Sequence, residues 1–187
     1  MKILLIVLAI ILVPVIIIGL WLMSAYNGLV ALRQAVKNSW AQIDVQLKRR
    51  HDLIPNLVNT VKGYASHEKE TFERVINARA KATSATVPAE AIKAEGELSV
   101  ALGRLLAVSE AYPELKANQN FMALQTELTN TEDRVSFSRQ AYNDTVTRLN
   151  TAIQTFPTVL IAGLFGFKAE PFFETPVEEK EAPKVQF

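Results

Sequence analysis

The sequence predicts an all-α protein: an N-terminal transmembrane helix followed by an elongated antiparallel four-helix bundle. Three observations carry this. Ile3–Met23 (ILLIVLAIILVPVIIIGLWLM) runs without a charge, and its length matches the ~20 apolar residues an α-helix needs to cross a bilayer core. Downstream, apolar residues recur in steps of three and four, which collects them on one helical face. No stretch alternates with period two for long enough to make a strand.

The first element competes with a cleaved signal peptide, whose apolar core is usually about 7–15 residues and ends at a small-x-small site. Here the run is longer, and the large Leu22 and Met23 spoil the site that Ser24 and Ala25 would offer. Trp21 and Tyr26 resemble an interfacial aromatic anchor. The expectation is an uncleaved membrane anchor over residues 1–25, with the spanning helix at 3–23. Pro14 is tolerable there, because neighbouring helices or a local adjustment re-satisfy the freed carbonyl.

A bundle domain is expected over residues 26–167. Helix one carries Leu29, Leu32, Val36, Trp40, Ile43 and Leu47 on one face, with no glycine or proline from Leu29 to Ile54. Pro55 is expected to break it and to open helix two. That helix carries Leu57, Val61, Tyr64, Phe72, Val75 and Arg79, and fades in the small-residue stretch Ala82–Ala89. Helix three, with Ile92, Leu98, Leu102, Leu105 and Leu106, stops before Tyr112–Pro113. Helix four is the most regular, from Phe121 through Leu124, Leu128, Val135, Tyr142 and Leu149 to Ile153. Asn118 or Asn120 caps it, and Pro157 closes it. Leu128, Val135 and Leu149 are expected in the core, with Trp40 and Ile43 opposite or near them.

Short connections favour antiparallel neighbours, so helix four should return toward the membrane and deliver Phe156–Phe167 (FPTVLIAGLFGF). This uncharged segment is too short to span. It meets lipid, meets neighbouring copies, or folds over the open end of the bundle. Phe156, Leu160, Leu164, Phe165 and Phe167 are its candidate oligomer or membrane contacts. Residues 168–187 are proline-rich and acidic and read as a mobile tail. Phe172–Phe173 within it is either a docking motif or a last tether to the body.

Composition excludes several chemistries. Lysine and arginine total 20 against 19 acids, so charge points to no nucleic-acid partner. There is no cysteine, which removes disulfides, thiol catalysis and Cys-based metal sites. His67–Glu68 begins a His-Glu-x-x-His pattern, but Thr71 stands where the second ligand belongs. A His51/His67 pair with Asp52, Glu68 or Glu70 would hold a metal only if the chain folds back at Pro55. Lys62–Gly63 lacks the glycines of a phosphate loop, and no serine sits in a Gly-x-Ser-x-Gly elbow. Asn143–Asp144–Thr145 is a glycosylation sequon in mid-helix, and Glu132/Asp133 point in different directions on a helix. No catalytic, cofactor-binding or metal-binding residues are expected.

Two polar features remain. Lys48, Arg49, Arg50 and His51, followed by Asp52, form a basic cluster ~40 Å beyond the bilayer if the helix is continuous from Ser24. They are the candidate partner-binding residues; alternatively, cations at a helix C-terminus simply favour its macrodipole. Thr131 and Ser138, with Arg134 and Arg139 beside them, interrupt the apolar face of helix four. Buried there, they would need hydrogen bonds and would specify helix register or a subunit contact; the commoner alternative is that they are exposed.

Longer motifs carry a family likeness. Tyr26-Asn27-x-Leu29-Val30 and the run from Trp40-x-Gln42-Ile43-Asp44 to Asn56-Leu57-Val58 closely resemble the LemA family of bacterial membrane proteins. So do Val61-Lys62-Gly63-Tyr64, His67-Glu68 and Ala78-Arg79. The likeness continues through Glu127-Leu128, Thr131-Glu132, Arg134, Arg139, Tyr142-Asn143 and Asn150. It closes with Phe156-Pro157, Phe165-Gly166-Phe167 and Phe173-Glu174. The resemblance implies a bacterial single-pass membrane protein with a helical-bundle domain and implies no reaction.

The expected role is a scaffold or adaptor that assembles with copies of itself in the bilayer and holds a membrane protein partner. The alternative is a sensor or regulator that binds an acidic ligand or a membrane protease through its basic end. Orientation rests on a near-tied count: Lys2 flanks one side, Arg33 and Lys37 the other. The two-residue N-terminal tail resembles a signal-anchor and puts the bundle outside the cytoplasm, with the anchor in the inner membrane.

Overall fold

A computed structural model describes residues 2–173, with the side chains of Ile3 and Leu8 alone among the first nine. Every regular element in it is a helix: α1 (Lys2–Lys62), α2 (Lys69–Ser84), α3 (Pro88–Glu110), α4 (Pro113–Lys116), α5 (Gln119–Gln154) and α6 (Thr158–Leu164). The all-α expectation holds, with two short helices that the periodicity was too brief to reveal. By contacts the chain falls into two units, residues 40–142 with 171–173, and residues 2–39 with 143–170.

Pro55 does not break the first helix. A proline in a helix interior costs ~3 kcal/mol, because it withholds an N–H from the carbonyl four residues back. That carbonyl belongs to His51, and it accepts a hydrogen bond from Arg79 Nε of α2 at 2.7 Å. Meanwhile Leu57, Val58 and Val61 continue the buried face of Leu47 and Ile54, so burial carries the helix through. The turn comes instead at Gly63, where Tyr64 and Ala65 both donate to the Val61 carbonyl. Helix two therefore begins at Lys69, not beside Pro55.

This compensation gives a test. Arg79→Ala is expected to cost about 1–3 kcal/mol, since it strips a donor from a carbonyl in a buried residue. In a Pro55→Ala background the loss should shrink, because residue 55 then supplies its own N–H. Denaturant melts of the four variants would show equal losses if Arg79 acts in some other way.

In the larger unit, α2 contributes Phe72, Val75, Ala78 and Ala82 at helical spacing. Pro88 opens α3 as its first residue, where the missing N–H has no partner to lose. The loop is thus confined to Ala85–Val87. Leu98, Leu102 and Leu105 of α3, Leu115 of α4, and Phe121 and Leu128 of α5 close one core with α1 and α2. Asn118 caps α5, its Oδ1 accepting from the amides of Asn120 and Phe121. Tyr64 meets Asn118, Arg50 meets Glu132, and Trp40 meets Tyr142, so α5 runs antiparallel to α1. Ile43 and Val135 are fully buried as expected, while Trp40 is half-buried and packs edge-on against Tyr142.

In the smaller unit, Leu29 and Val36 of α1 are buried, as are Val146, Leu149 and Ile153 of α5 and Ile161 of α6. Thr145 donates to Ser39 at 3.1 Å, and the two helices are again antiparallel.

The expected mobile tail starts too early at residue 168. Asn150 clamps Glu170, donating to its carbonyl and accepting from its amide, both at 2.9 Å. Tyr142 donates to the Pro171 carbonyl. Phe173 is buried, stacked on Trp40 with the Arg139 guanidinium 4.4 Å from its ring centroid. Of the two readings of Phe172–Phe173, Phe173 is the tether. Residues 174–187 lie outside the described residues.

Candidate functional site

The basic cluster divides by helical phase. Leu47, Arg50 and Ile54 are three and four residues apart, so Arg50 falls on the buried stripe. Its side chain is 1% exposed, as is that of its partner Glu95 on α3. Arg50 Nη1 donates to Glu95 Oε2 at 2.9 Å, and Nη2 donates to Ser99 Oγ at 2.8 Å. The same Nη2 lies 2.6 Å from Glu132 Oε1 of α5. The buried His51 places Nε2 2.5 Å from the other Glu95 oxygen. With Glu95 ionised, the Nε2–H form of His51 is the one that makes this contact attractive.

Arg50 and His51 are therefore buried and held by partners within the bundle, where the four-residue reading makes them a surface cluster, although each also reaches the wall of a cleft. A guanidinium removed from water needs its donors satisfied; the two Nη atoms of this one are held by two carboxylates and a hydroxyl, while its buried Nε has no partner. Lys48 and Arg49 remain exposed. Lys48 lines a cleft of about 300 Å³ with Asp44, Asp52, Arg79 and Thr83. A second cleft of about 310 Å³ has Arg50, Ser99, Gln125, Thr129 and Glu132 in its wall. Ser99 there faces a guanidinium, which takes no proton, so it is not an activated nucleophile. The α2–α3 face carries Arg74, Lys81, Arg104 and Glu97 around about 380 Å³. Lys81 beside Glu97 holds that carboxyl below its usual range, as Arg74 does for Glu70. Such exposed pairs add little to stability. Among the described residues, no three His, Asp or Glu side chains gather to hold a metal ion.

Thr131 is buried and satisfied within its own helix, donating to the Glu127 carbonyl at 2.8 Å. Glu95 was missed in the sequence as a site residue, although a signal was present. Ala91, Ala94, Glu95, Leu98 and Leu102 share the buried face of α3, so an acid on one stripe answered a base on another.

The second arrangement is apolar. Gly166 adopts φ +68°, a left-handed conformation that glycine takes without a steric cost. The chain reverses there, with Phe167 donating to the Ala162 carbonyl and Gly166 to Gly163. This is the Schellman pattern of a helix end. The reversal seats Phe165 and Phe167 against Tyr26, with ring centroids 4.8 and 5.9 Å away, and Phe167 against the Arg33 guanidinium. Ile161 and Ala162 face inward, whereas Phe156, Leu160 and Leu164 are 76%, 65% and 79% exposed.

An exposed apolar helix leading into an all-α bundle, locked by its own buried ion pairs, defines a membrane-associated helical-bundle protein. Residues 39–187 match the LemA family, and the chain belongs to it. Among its relatives, the magnetosome protein MamQ of Magnetospirillum gryphiswaldense is 26% identical, over 83% of this chain and 67% of that one. MamQ 2 of Paramagnetospirillum magneticum is 25% identical over 82% and 66%, respectively. Protein LemA of Metamycoplasma hominis is 26% identical over 73% and 63%. The chain thus spans about two-thirds of the length of the curated relatives it matches. None of these names denotes an enzyme.

Proposed function

We propose that this protein is a membrane-anchored scaffold or adaptor without catalytic activity, which self-assembles at a bacterial inner membrane and holds partner proteins to it. The single observation that carries the reading is where the charges go. The bundle turns Arg50, His51 and Glu95 inward to fix its own helices, and among the described residues these polar groups serve packing. The apolar stretch of α1 from Ile10 to Met23 is unburied, which supports a single-pass anchor. Anchored copies share one plane, and that confinement raises their effective concentration toward one another. The regulator reading weakens correspondingly, since two of its four proposed binding residues are internal.

Light scattering on the detergent-solubilised full chain is expected to give a mass of two or more copies. Crosslinking in native membranes should capture both copies and partners. A strictly monomeric chain under both conditions would remove the self-assembly. We further propose a bundle outside the cytoplasm, so protease added to intact spheroplasts should digest it; protection would reverse the orientation.

A further inference from the structure

We infer that the outer face of α6, formed by Leu160 and Leu164 and preceded by the exposed Phe156, is seated in the lipid interface, giving the protein a second membrane contact beside its anchor. This rests on the reading of Ile3–Met23 as a membrane span. Tyr26 lies three residues beyond that run, or about 4.5 Å along a helix. The headgroup layer on each side of a bilayer core is thicker, at roughly 5–8 Å. Tyr26 is therefore still in the interface, and α6 is fixed to it through Phe165 and Phe167.

The helix is held firmly on its other side. Ile161 and Ala162 are buried, and the Gly166 reversal closes its end. Spacing of four residues puts Leu160 and Leu164 together on the opposite side, and Val159 and, just before the helix, Phe156 are exposed as well. Several large apolar side chains gathered on one side and left in water are unfavourable. Lipid at this depth accepts them without any other partner. Arg33 packs on Phe167 and Lys168 follows it in the chain, placing cations where phospholipid headgroups carry negative charge. A lipid surface thus fits both the apolar face and its charged border.

The native chain has no cysteine, so one introduced cysteine gives one nitroxide label. The variants are Leu160→Cys, Leu164→Cys, Ile16→Cys in the anchor, and Phe137→Cys, an equally exposed apolar position on α5. Each full chain is reconstituted into phosphatidylcholine–phosphatidylglycerol vesicles. Collisions with oxygen, which concentrates in lipid, are compared with those of a water-soluble nickel complex. Oxygen should dominate at positions 16, 160 and 164, and nickel at 137. Nickel dominance at 160 and 164, with oxygen still dominant at 16, overturns the proposal while the anchor stands. Weak collision with both reagents, plus spin–spin broadening lost on dilution with unlabelled chain, identifies a second copy on this face and also overturns it. Nickel dominance at 16 overturns the anchor and the proposal together.

Discussion

Replacing Arg50 by alanine is expected to destabilise the bundle by about 3–5 kcal/mol, because it leaves the Glu95 carboxylate buried without its main counter-charge. For a chain of this size that is a fall in thermal midpoint of roughly 6–20 °C. The pair itself is not expected to be worth so much. Arg50→Met combined with Glu95→Leu removes both charges and should recover most of the loss, since apolar replacement of a whole buried pair is often neutral. Lys48→Ala and Arg49→Ala, at exposed positions, should stay within about 0.5 kcal/mol of the parent. Circular-dichroism melts of the full chain in detergent compare all four. A double variant as unstable as Arg50→Ala would assign the loss to packing instead of charge.

Leu128→Ala should lower stability by ~2–5 kcal/mol, the usual range for truncating a buried leucine. Leu128 belongs to the core shared with Ile54, Phe72, Leu98 and Leu105, so α5 would lose its hold on the other helices of that unit. The effect grows with the cavity that remains, and Leu128→Met, which nearly conserves volume, should cost less than about 1.5 kcal/mol. An unchanged midpoint for Leu128→Ala would mean that α5 presents a different face.

The helices and their buried faces were legible because apolar spacing is a local property. Ile43, Leu98, Leu128 and Val135 needed no knowledge of what they touch. The return of Phe156–Phe167 toward the anchor followed from alternation of helix direction, and Tyr26 does meet Phe165 and Phe167. What failed locally depended on distant residues. Arg50 and Glu95 are 45 positions apart, so a run of bases looked like a surface patch. Reading each of them by helical phase, and not as a block, separates Arg50 from Lys48 and Arg49. Pro55 looked like a terminus because its compensation, Arg79 to the His51 carbonyl, comes from 28 positions away. The Asn150 clamp on Glu170 was hidden for the same reason.

The Arg50 layer also limits how the helices can slide. Apolar stripes repeat every three or four residues, so shifting α5 along α1 by one turn would still bring leucine to leucine. The same shift would set Leu128 or Ser136 where Glu132 now meets Arg50. Moving α3 by one turn would exchange Glu95 for Ala91 or Ser99. Each misalignment takes a carboxylate away from a guanidinium that is itself shielded from water, which is unfavourable. Oily contacts alone would tolerate a ladder of near-equal alignments. One arginine, answered by carboxylates from two other helices, leaves a single rung.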